Sequence, residues 1–153
     1  MSQPQVTTRY WSLGQMIRRQ GYGSLRLENG FERLMVTTDV VMSVCLTSDG
    51  SRLFTGSHDN TAKLWNVETG ECVRTFTGHT NWVMSVCLTS DDKRLLTGSN
   101  DDTGKLWSVE TGECVRTFEG HTNGVLSVCL TSDDRRLVTG SRDETAMLWG
   151  AAR

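Results

Sequence analysis

The sequence predicts an all-β protein made of repeated four-stranded antiparallel sheets, and three features of its pattern lead to this fold class. Residues 41–82 and 83–124 are nearly identical in sequence, and a third copy begins directly after them. In each copy, runs rich in Val, Leu, Thr, Trp and Phe alternate with clusters of Gly, Asp, Asn and Ser, which is typical of strands joined by tight turns. The period is 42 residues, the length of one four-stranded propeller blade, as the spacing of three tryptophans shows: Trp65, Trp107 and Trp149.

The second copy indicates how one repeat folds. Ser90 and Asp91 supply turn chemistry, because their side chains can bond to their own backbone. From the innermost to the outermost strand, the predicted ranges are 83–89, 94–99, 103–109 and 113–118, which are ordinary lengths for antiparallel strands. The same pattern in the neighbouring copies predicts blades at about 41–77, 83–119 and 125–153.

The first 30 residues do not repeat. Four arginines precede the first acidic residue, Glu28, and apolar residues follow roughly helical spacing. We interpret residues 1–30 as a tail or a short docking helix, and an organelle-targeting peptide is the alternative interpretation. Residues 31–37 echo the outer strand of the later copies. We therefore expect a degenerate outer strand there and a repeat array over residues 31–153.

Composition argues against several classes of partner. The formal net charge is −2, and Lys and Arg are interleaved with Asp and Glu in every repeat, so no basic face for a phosphate backbone stands out. No apolar run approaches the roughly 20 residues that cross a bilayer, and no leader with an apolar core opens the chain. We therefore expect protein partners, with no nucleic acid and no membrane, and a cytoplasmic or nuclear location.

The cysteines follow the repeat and have no C-x-x-C spacing for zinc or redox chemistry. Equivalent positions in successive blades lie side by side and do not converge, so a metal site with three or four ligands is not expected. We predict that all five are small buried apolar residues in a protein of a reducing compartment, without metal or cofactor: Cys45, Cys72, Cys87, Cys114 and Cys129.

Three motifs recur at fixed spacing: a Gly-His pair, a Ser-x-Asp turn and a Leu-Trp pair. On these residues the chain resembles the WD-repeat family, with repeats of the G-protein β subunit type, over about residues 28–149. The resemblance implies β-propeller blades, about three in this chain, and hence an incomplete ring as a single chain. It also implies a non-enzymatic scaffold that binds protein partners on the top face and rim of the propeller.

The resemblance further implies a buried hydrogen-bonded tetrad of His, Ser or Thr, Asp and Trp in each blade. The second blade carries it at His79, Thr97 (or Ser99), Asp101 and Trp107. The third blade carries it at His121, Thr139 (or Ser141), Asp143 and Trp149. The first blade keeps Thr55, Asp59 and Trp65 but has Thr37 in the histidine position, so we expect an incomplete tetrad and a looser edge.

Each tetrad offers a hydroxyl, an imidazole and a carboxylate, the groups of a catalytic triad. Nucleophilic catalysis needs one exposed nucleophile in one cleft, whereas repeated copies bound to an indole N–H describe a network that holds strands in register. We therefore expect no catalytic residues and no enzyme activity.

Several of the positions at which the copies differ lie where the resemblance places the top face, and we take these and nearby apolar residues as candidates for partner binding. Trp82 precedes the innermost strand of the second blade, where the next copy has Gly124. We consider two interpretations: Trp82 anchors a partner, or it results from drift after duplication and lies flat on its neighbour. The other candidates on this face are His58, Asn100, Arg142, Met42, Met84 and Leu126.

Two functional classes follow from the pattern. The first is the interaction scaffold, and the second is a truncated or recently duplicated fragment of a larger WD-repeat protein with little function of its own. An enzyme borne on a propeller is a distant third. Because closed propellers have about four to eight blades, we also expect assembly with further blades or a head-to-tail homodimer in which residues 31–37 complete the third blade of a second copy.

Overall fold

The computed structural model describes residues 39–150, and within this range the only regular structure is β-strand. The prediction of an all-β fold is confirmed. The strands lie in one compact unit, Val36–Arg153. The expectations for residues 1–30 and for an outer strand at 31–37 fall outside the described residues, as does residue 37 of the first tetrad.

The described strands form three antiparallel sheets in which neighbours in sequence are neighbours in space. The first sheet contains β1 (Val41–Leu46), β2 (Arg52–Ser57), β3 (Ala62–Asn66) and β4 (Cys72–Phe76). The second contains β5 (Val83–Leu88), β6 (Arg94–Ser99), β7 (Gly104–Ser108) and β8 (Cys114–Phe118). The third contains three described strands: β9 (Val125–Leu130), β10 (Arg136–Ser141) and β11 (Ala146–Gly150).

Aspartates close the turn between the first two strands of each sheet. Asp91 accepts a hydrogen bond from the Thr89 hydroxyl at 2.6 Å and another from the Lys93 amide at 3.0 Å. Asp49 and Asp133 make the same bonds in the other sheets. Because these bonds are local, the sequence alone specifies where the strands reverse.

The apolar core lies between the sheets. Phe54, Leu64 and Phe76 of the first sheet cluster with residues of the second, among them Val83 and Trp107. An equivalent cluster joins the second sheet to the third: Leu96, Leu106, Phe118, Val125, Val128 and Leu137. The second sheet thus buries both of its faces, and the first and third sheets each bury one face against it, which is how stacked repeats stabilise one another.

The outward faces of the first and third sheets are bare. Val44 on β1 is 59% exposed, whereas its counterpart Val86 on β5 is 7% exposed. Leu148 on β11 is 59% exposed, whereas its counterpart Leu106 on β7 is 2% exposed. The three sheets therefore do not close into a ring. Residues 39–150 contain no apolar helix of membrane-spanning length.

The prediction of buried cysteines is wrong for most of them. Cys72, Cys114 and Cys129 are exposed, and Cys45 and Cys87 are half-buried. The reason is that these residues lie on the outermost and innermost strands, each of which has a strand neighbour on one side only. Burial is still enough to raise the pKa of the Cys45 thiol to about 12.

Candidate interaction surface

A chain of side-chain hydrogen bonds crosses the second sheet. Trp107 Nε1 donates to Thr97 Oγ1 at 2.9 Å, and the same oxygen lies 2.7 Å from His79 Nε2. His79 Nδ1 lies 2.7 Å from Asp101 Oδ2. An ionised carboxylate only accepts hydrogen bonds, so the proton between them belongs to His79 Nδ1. The structure thus brings His79, Thr97, Asp101 and Trp107 together.

The structure separates the two candidate hydroxyls of this tetrad. Thr97 is fully buried and contacts both rings. Ser99 instead donates to the Asn81 carbonyl at 3.0 Å and accepts from the Asp101 amide at 3.1 Å. Thr97 therefore links histidine to tryptophan, and Ser99 fastens the loop that precedes the blade.

The third sheet repeats the arrangement. Trp149 Nε1 donates to Thr139 Oγ1 at 2.9 Å, and this oxygen lies 2.8 Å from His121 Nε2. His121 Nδ1 lies 2.7 Å from Asp143 Oδ2. Ser141 takes the role of Ser99, because its hydroxyl donates to a loop carbonyl at 2.8 Å.

The aspartates of both networks are held in the ionised form. Burial raises the pKa of Asp101, but hydrogen bonds from His79 and Thr103 outweigh it, so this pKa lies well below its ordinary value. The hydrogen bond from the Thr145 hydroxyl lowers the pKa of Asp143, against the opposing effect of burial. A carboxylate that accepts several hydrogen bonds is a structural anchor and a poor proton carrier at neutral pH.

The first sheet keeps part of the network. Trp65 Nε1 donates to Thr55 Oγ1 at 3.1 Å, as in the other sheets. Asp59 accepts hydrogen bonds from the Thr61 hydroxyl and from the Lys63 ammonium group. Lys63 is not among the predicted site residues. Its counterpart Lys105 lies in a sheet with a complete tetrad, so comparison of the copies gives no sign that this lysine binds an aspartate.

A row of side chains runs along one end of the three sheets. Backbone hydrogen bonds join the residue before each innermost strand to the residue after each second strand, and they tie Val40 to His58, Trp82 to Asn100, and Gly124 to Arg142. These residues lie on successive blades and form one continuous row, here called the rim, which includes positions that differ between the copies.

His58 and Trp82 stack across the boundary between the first and second sheets, which we call the first seam; the boundary between the second and third sheets is the second seam. Their ring centroids are 3.9 Å apart and their planes differ by 15°. Trp82 nevertheless remains 41% exposed, so one indole face packs on the neighbouring blade while part of the ring faces solvent. The structure therefore combines both interpretations of Trp82, since it lies flat on its neighbour and still offers apolar area.

The second seam has no such aromatic pair. Gly124 occupies the place of Trp82, and a Cβ there would lie 2.4 Å from Asn100 Oδ1. Arg142 Nη1 donates to the same Asn100 oxygen at 3.3 Å. The rim is thus aromatic at the first seam and polar at the second.

The apolar rim candidates lie on the innermost strands. Each is the second residue of its strand, at Met42 in β1, Met84 in β5 and Leu126 in β9. Met42 and Leu126 are exposed and Met84 is half-buried. Among residues 39–150, no group of three or more His, Cys, Asp or Glu side chains is placed to hold a metal ion.

The repeats match a family model described as WD domain, G-beta repeat, at residues 33–66, 70–108 and 112–150. These segments cover well over half of the chain, which therefore belongs to the WD-repeat family.

Individual relatives share single repeats with the chain. F-box/WD repeat-containing protein 7 of Drosophila melanogaster is 50% identical over 36 residues, which is 24% of this chain and 3% of that protein. The Lissencephaly-1 homolog of Branchiostoma floridae is 48% identical over 33 residues, 22% of this chain and 8% of that protein. Nuclear distribution protein PAC1 of Arthroderma otae is 51% identical over 35 residues, 23% of this chain and 8% of that protein. The matched part thus spans a small fraction of each relative.

Proposed function

We propose that this chain is a non-enzymatic protein-interaction module whose partner binds the rim at the stacked pair His58 and Trp82. The observation that carries the proposal is that Trp82 is supported by His58 and still 41% exposed. Tryptophan is enriched among the residues that dominate binding energy at protein interfaces. Because stacking holds the ring in place before a partner arrives, little conformational entropy is lost on binding.

The setting of the pair supports a protein partner. Exposed apolar side chains lie on two innermost strands, at Met42 in β1 and Leu126 in β9, and Arg142 and Asn100 are polar residues of the rim. An aromatic anchor beside apolar and polar side chains is the usual composition of a protein-binding patch. The interleaved charges and net charge of −2 do not favour a nucleic-acid backbone.

The role of the tetrads supports a function without catalysis. The hydroxyls of Thr97 and Thr139 are fully buried and hydrogen-bonded to both rings, so neither is placed to attack a substrate.

We extend the proposal to a reducing compartment, the cytoplasm or nucleus, because the thiols of Cys72, Cys114 and Cys129 are exposed and unpaired.

The second candidate function is that of one part of a larger WD-repeat scaffold. The bare outward faces of the first and third sheets and the small share of each relative that is matched favour it. A purified chain that melts in one cooperative transition supports autonomous function, and a chain without a cooperative transition supports the second candidate.

Affinity capture tests the proposal. The wild-type chain, Trp82→Ala and Val115→Ala are immobilised in parallel, and the bound proteins are quantified by mass spectrometry. Val115 is a matched control, because it is 46% exposed and lies on the outer strand β8, away from the rim. We expect proteins that are retained by wild type and Val115→Ala and lost with Trp82→Ala. A bound set that is the same for all three chains contradicts it.

A further inference from the structure

At both seams between sheets, a glycine of one sheet packs against two valines of the next. A Cβ on Gly56 would lie 2.8 Å from Val83 Cγ1 and 3.1 Å from Val86 Cγ1. A Cβ on Gly98 would lie 2.8 Å from the Cγ1 atoms of both Val125 and Val128. Glycine is required at these positions because the valines of the next sheet fill the space that a side chain would occupy.

The outward faces carry the same glycine and the same valines, but within one chain these do not meet. Gly140 of the third sheet is the counterpart of Gly56 and Gly98, and a Cβ there would meet nothing within 4 Å. Val41 and Val44 of the first sheet are the counterparts of the buried valines, and both are exposed. The third sheet therefore presents an unfilled socket, and the first presents the side chains that fill such a socket elsewhere.

A hydrogen bond between neighbouring sheets also repeats at each seam. The Val86 amide donates to Ser43 Oγ at 3.1 Å, and the Val128 amide donates to Ser85 Oγ at 3.2 Å. The next pair in this series is Ser127, which is exposed on the third sheet, and the Val44 amide on the first. The outward faces thus match in hydrogen bonding as well as in shape.

We propose that the outward face of the third sheet binds the outward face of the first sheet of a second copy, with Val41 and Val44 seated at Gly140. The partner is a second copy because the chain carries both halves of a contact that it already makes at two internal seams. Two copies joined in this way form two equal seams and a ring of six blades, within the range of about four to eight for closed propellers. The inference names a further partner for the proposed interaction module and involves neither His58 nor Trp82.

A serine–aspartate contact at the two internal seams cannot form between two copies, and this difference can be tested by substitution. Ser48 donates to Asp92 Oδ2 through its amide and hydroxyl at 3.0 and 2.7 Å, and Ser90 donates to Asp134 Oδ2 at 2.8 and 2.5 Å. Between two copies the pair is Ser132 and Gly50, so the acceptor is missing. The φ of Gly50 is 70°, close to the 57° and 54° of Asp92 and Asp134, so an aspartate fits this turn.

Analytical ultracentrifugation of the full chain over a concentration series measures self-association. We expect a dimer that Val44→Glu and Gly140→Val each abolish, with the cooperative melt retained, since both sites are open in the single chain. Val115→Glu is the matched control at an exposed valine outside both faces, and it leaves the dimer intact. A monomer at every concentration, assembly that does not stop at two copies, or a dimer that survives Gly140→Val overturns the proposal.

Gly50→Asp tests the seam by gain of binding. It supplies the missing acceptor for Ser132, and we expect about tenfold tighter dimerisation than in the wild type, where Gly50 offers no acceptor. Association of Gly50→Asp no tighter than that of the wild type overturns the proposed seam. Trp82→Ala should leave sedimentation unchanged, so failure of this inference is distinguishable from failure of the rim proposal.

Discussion

Lys63 donates a hydrogen bond to Asp59 in the first sheet, where histidines bind the equivalent aspartates of the other two sheets. The chain has three histidines, and none serves Asp59, because His79 and His121 bind their own aspartates and His58 stacks on Trp82. Burial raises the pKa of Asp59, but hydrogen bonds from Lys63 and Thr61 outweigh it and lower the pKa. An ammonium group thus replaces an imidazole at this corner of the blade.

Lys63→Met should destabilise the protein more than Lys105→Met. Lys105 donates to Thr117 at 3.0 Å in a sheet whose aspartate already has its histidine, and the third sheet has Met147 at this position. We expect a difference of roughly 1 kcal/mol in the free energy of unfolding, since the Lys63 bond is charge-assisted and mostly shielded from water. Urea denaturation of both variants measures it, and equal losses would show that Asp59 does not need this partner.

Asp101→Ala should destabilise more than Asp91→Ala. The first change removes the acceptor for His79, the Thr80 amide and Thr103. Stranded donors cost about 1 to 3 kcal/mol per group, so we expect a loss of at least about 2 kcal/mol. Asp91 is exposed, and water can replace it in its turn. Coincident denaturation curves for the two variants would refute the tetrad as a stabilising network.

Stability should fall as the pH drops from about 5 towards 2. Asp59, Asp101 and Asp143 have lower pKa values in the folded chain than the ordinary value near 4. In this window the unfolded chain binds more protons, so acid favours unfolding, and the stabilisation is fully present only above the ordinary pKa. Asp101→Asn should lose less stability over the same window. Parallel curves for the variant and wild type would show that this carboxylate does not contribute.

Glu144→Asn should stabilise the third sheet. Glu144 has φ of 67° in a turn where the earlier copies have Asn60 and Asp102 at 67° and 68°. Asparagine tolerates this left-handed conformation better than glutamate, so we expect a gain of about 0.5 to 1 kcal/mol in the free energy of unfolding. Glu119→Asn, at an exposed site in a loop, is the control and should be neutral. A gain no larger than that of the control would contradict this explanation.

The repeat made the strands predictable, because the turn aspartates bond locally and the tryptophan spacing sets the period. The hydroxyl of the tetrad was harder to predict. Thr97 and Ser99 are two residues apart in β6, so both point to the same side of the sheet and strand periodicity cannot separate them. The choice depends on which hydroxyl lies opposite the indole, and that requires three-dimensional positions.

The rim shows a second limit of sequence reasoning. The sequence marks His58 and Trp82 separately as candidates because each differs between copies, but their contact crosses a seam between blades. Alignment of the copies compares equivalent positions and contains no information on which unlike positions meet across a seam. The exposed cysteines were mispredicted for a related reason, since periodicity within one repeat does not indicate which strand edge remains uncovered.

Calorimetric titration of a captured and purified partner tests most directly whether Trp82 anchors a protein partner, as we propose. We expect Trp82→Ala to lose about 2 kcal/mol or more of binding free energy, roughly thirtyfold in Kd, with little change in Tm. Val115→Ala should bind as wild type does. A Kd for Trp82→Ala equal to that of wild type, with a lowered Tm, would show that the indole packs against His58 and does not take part in recognition.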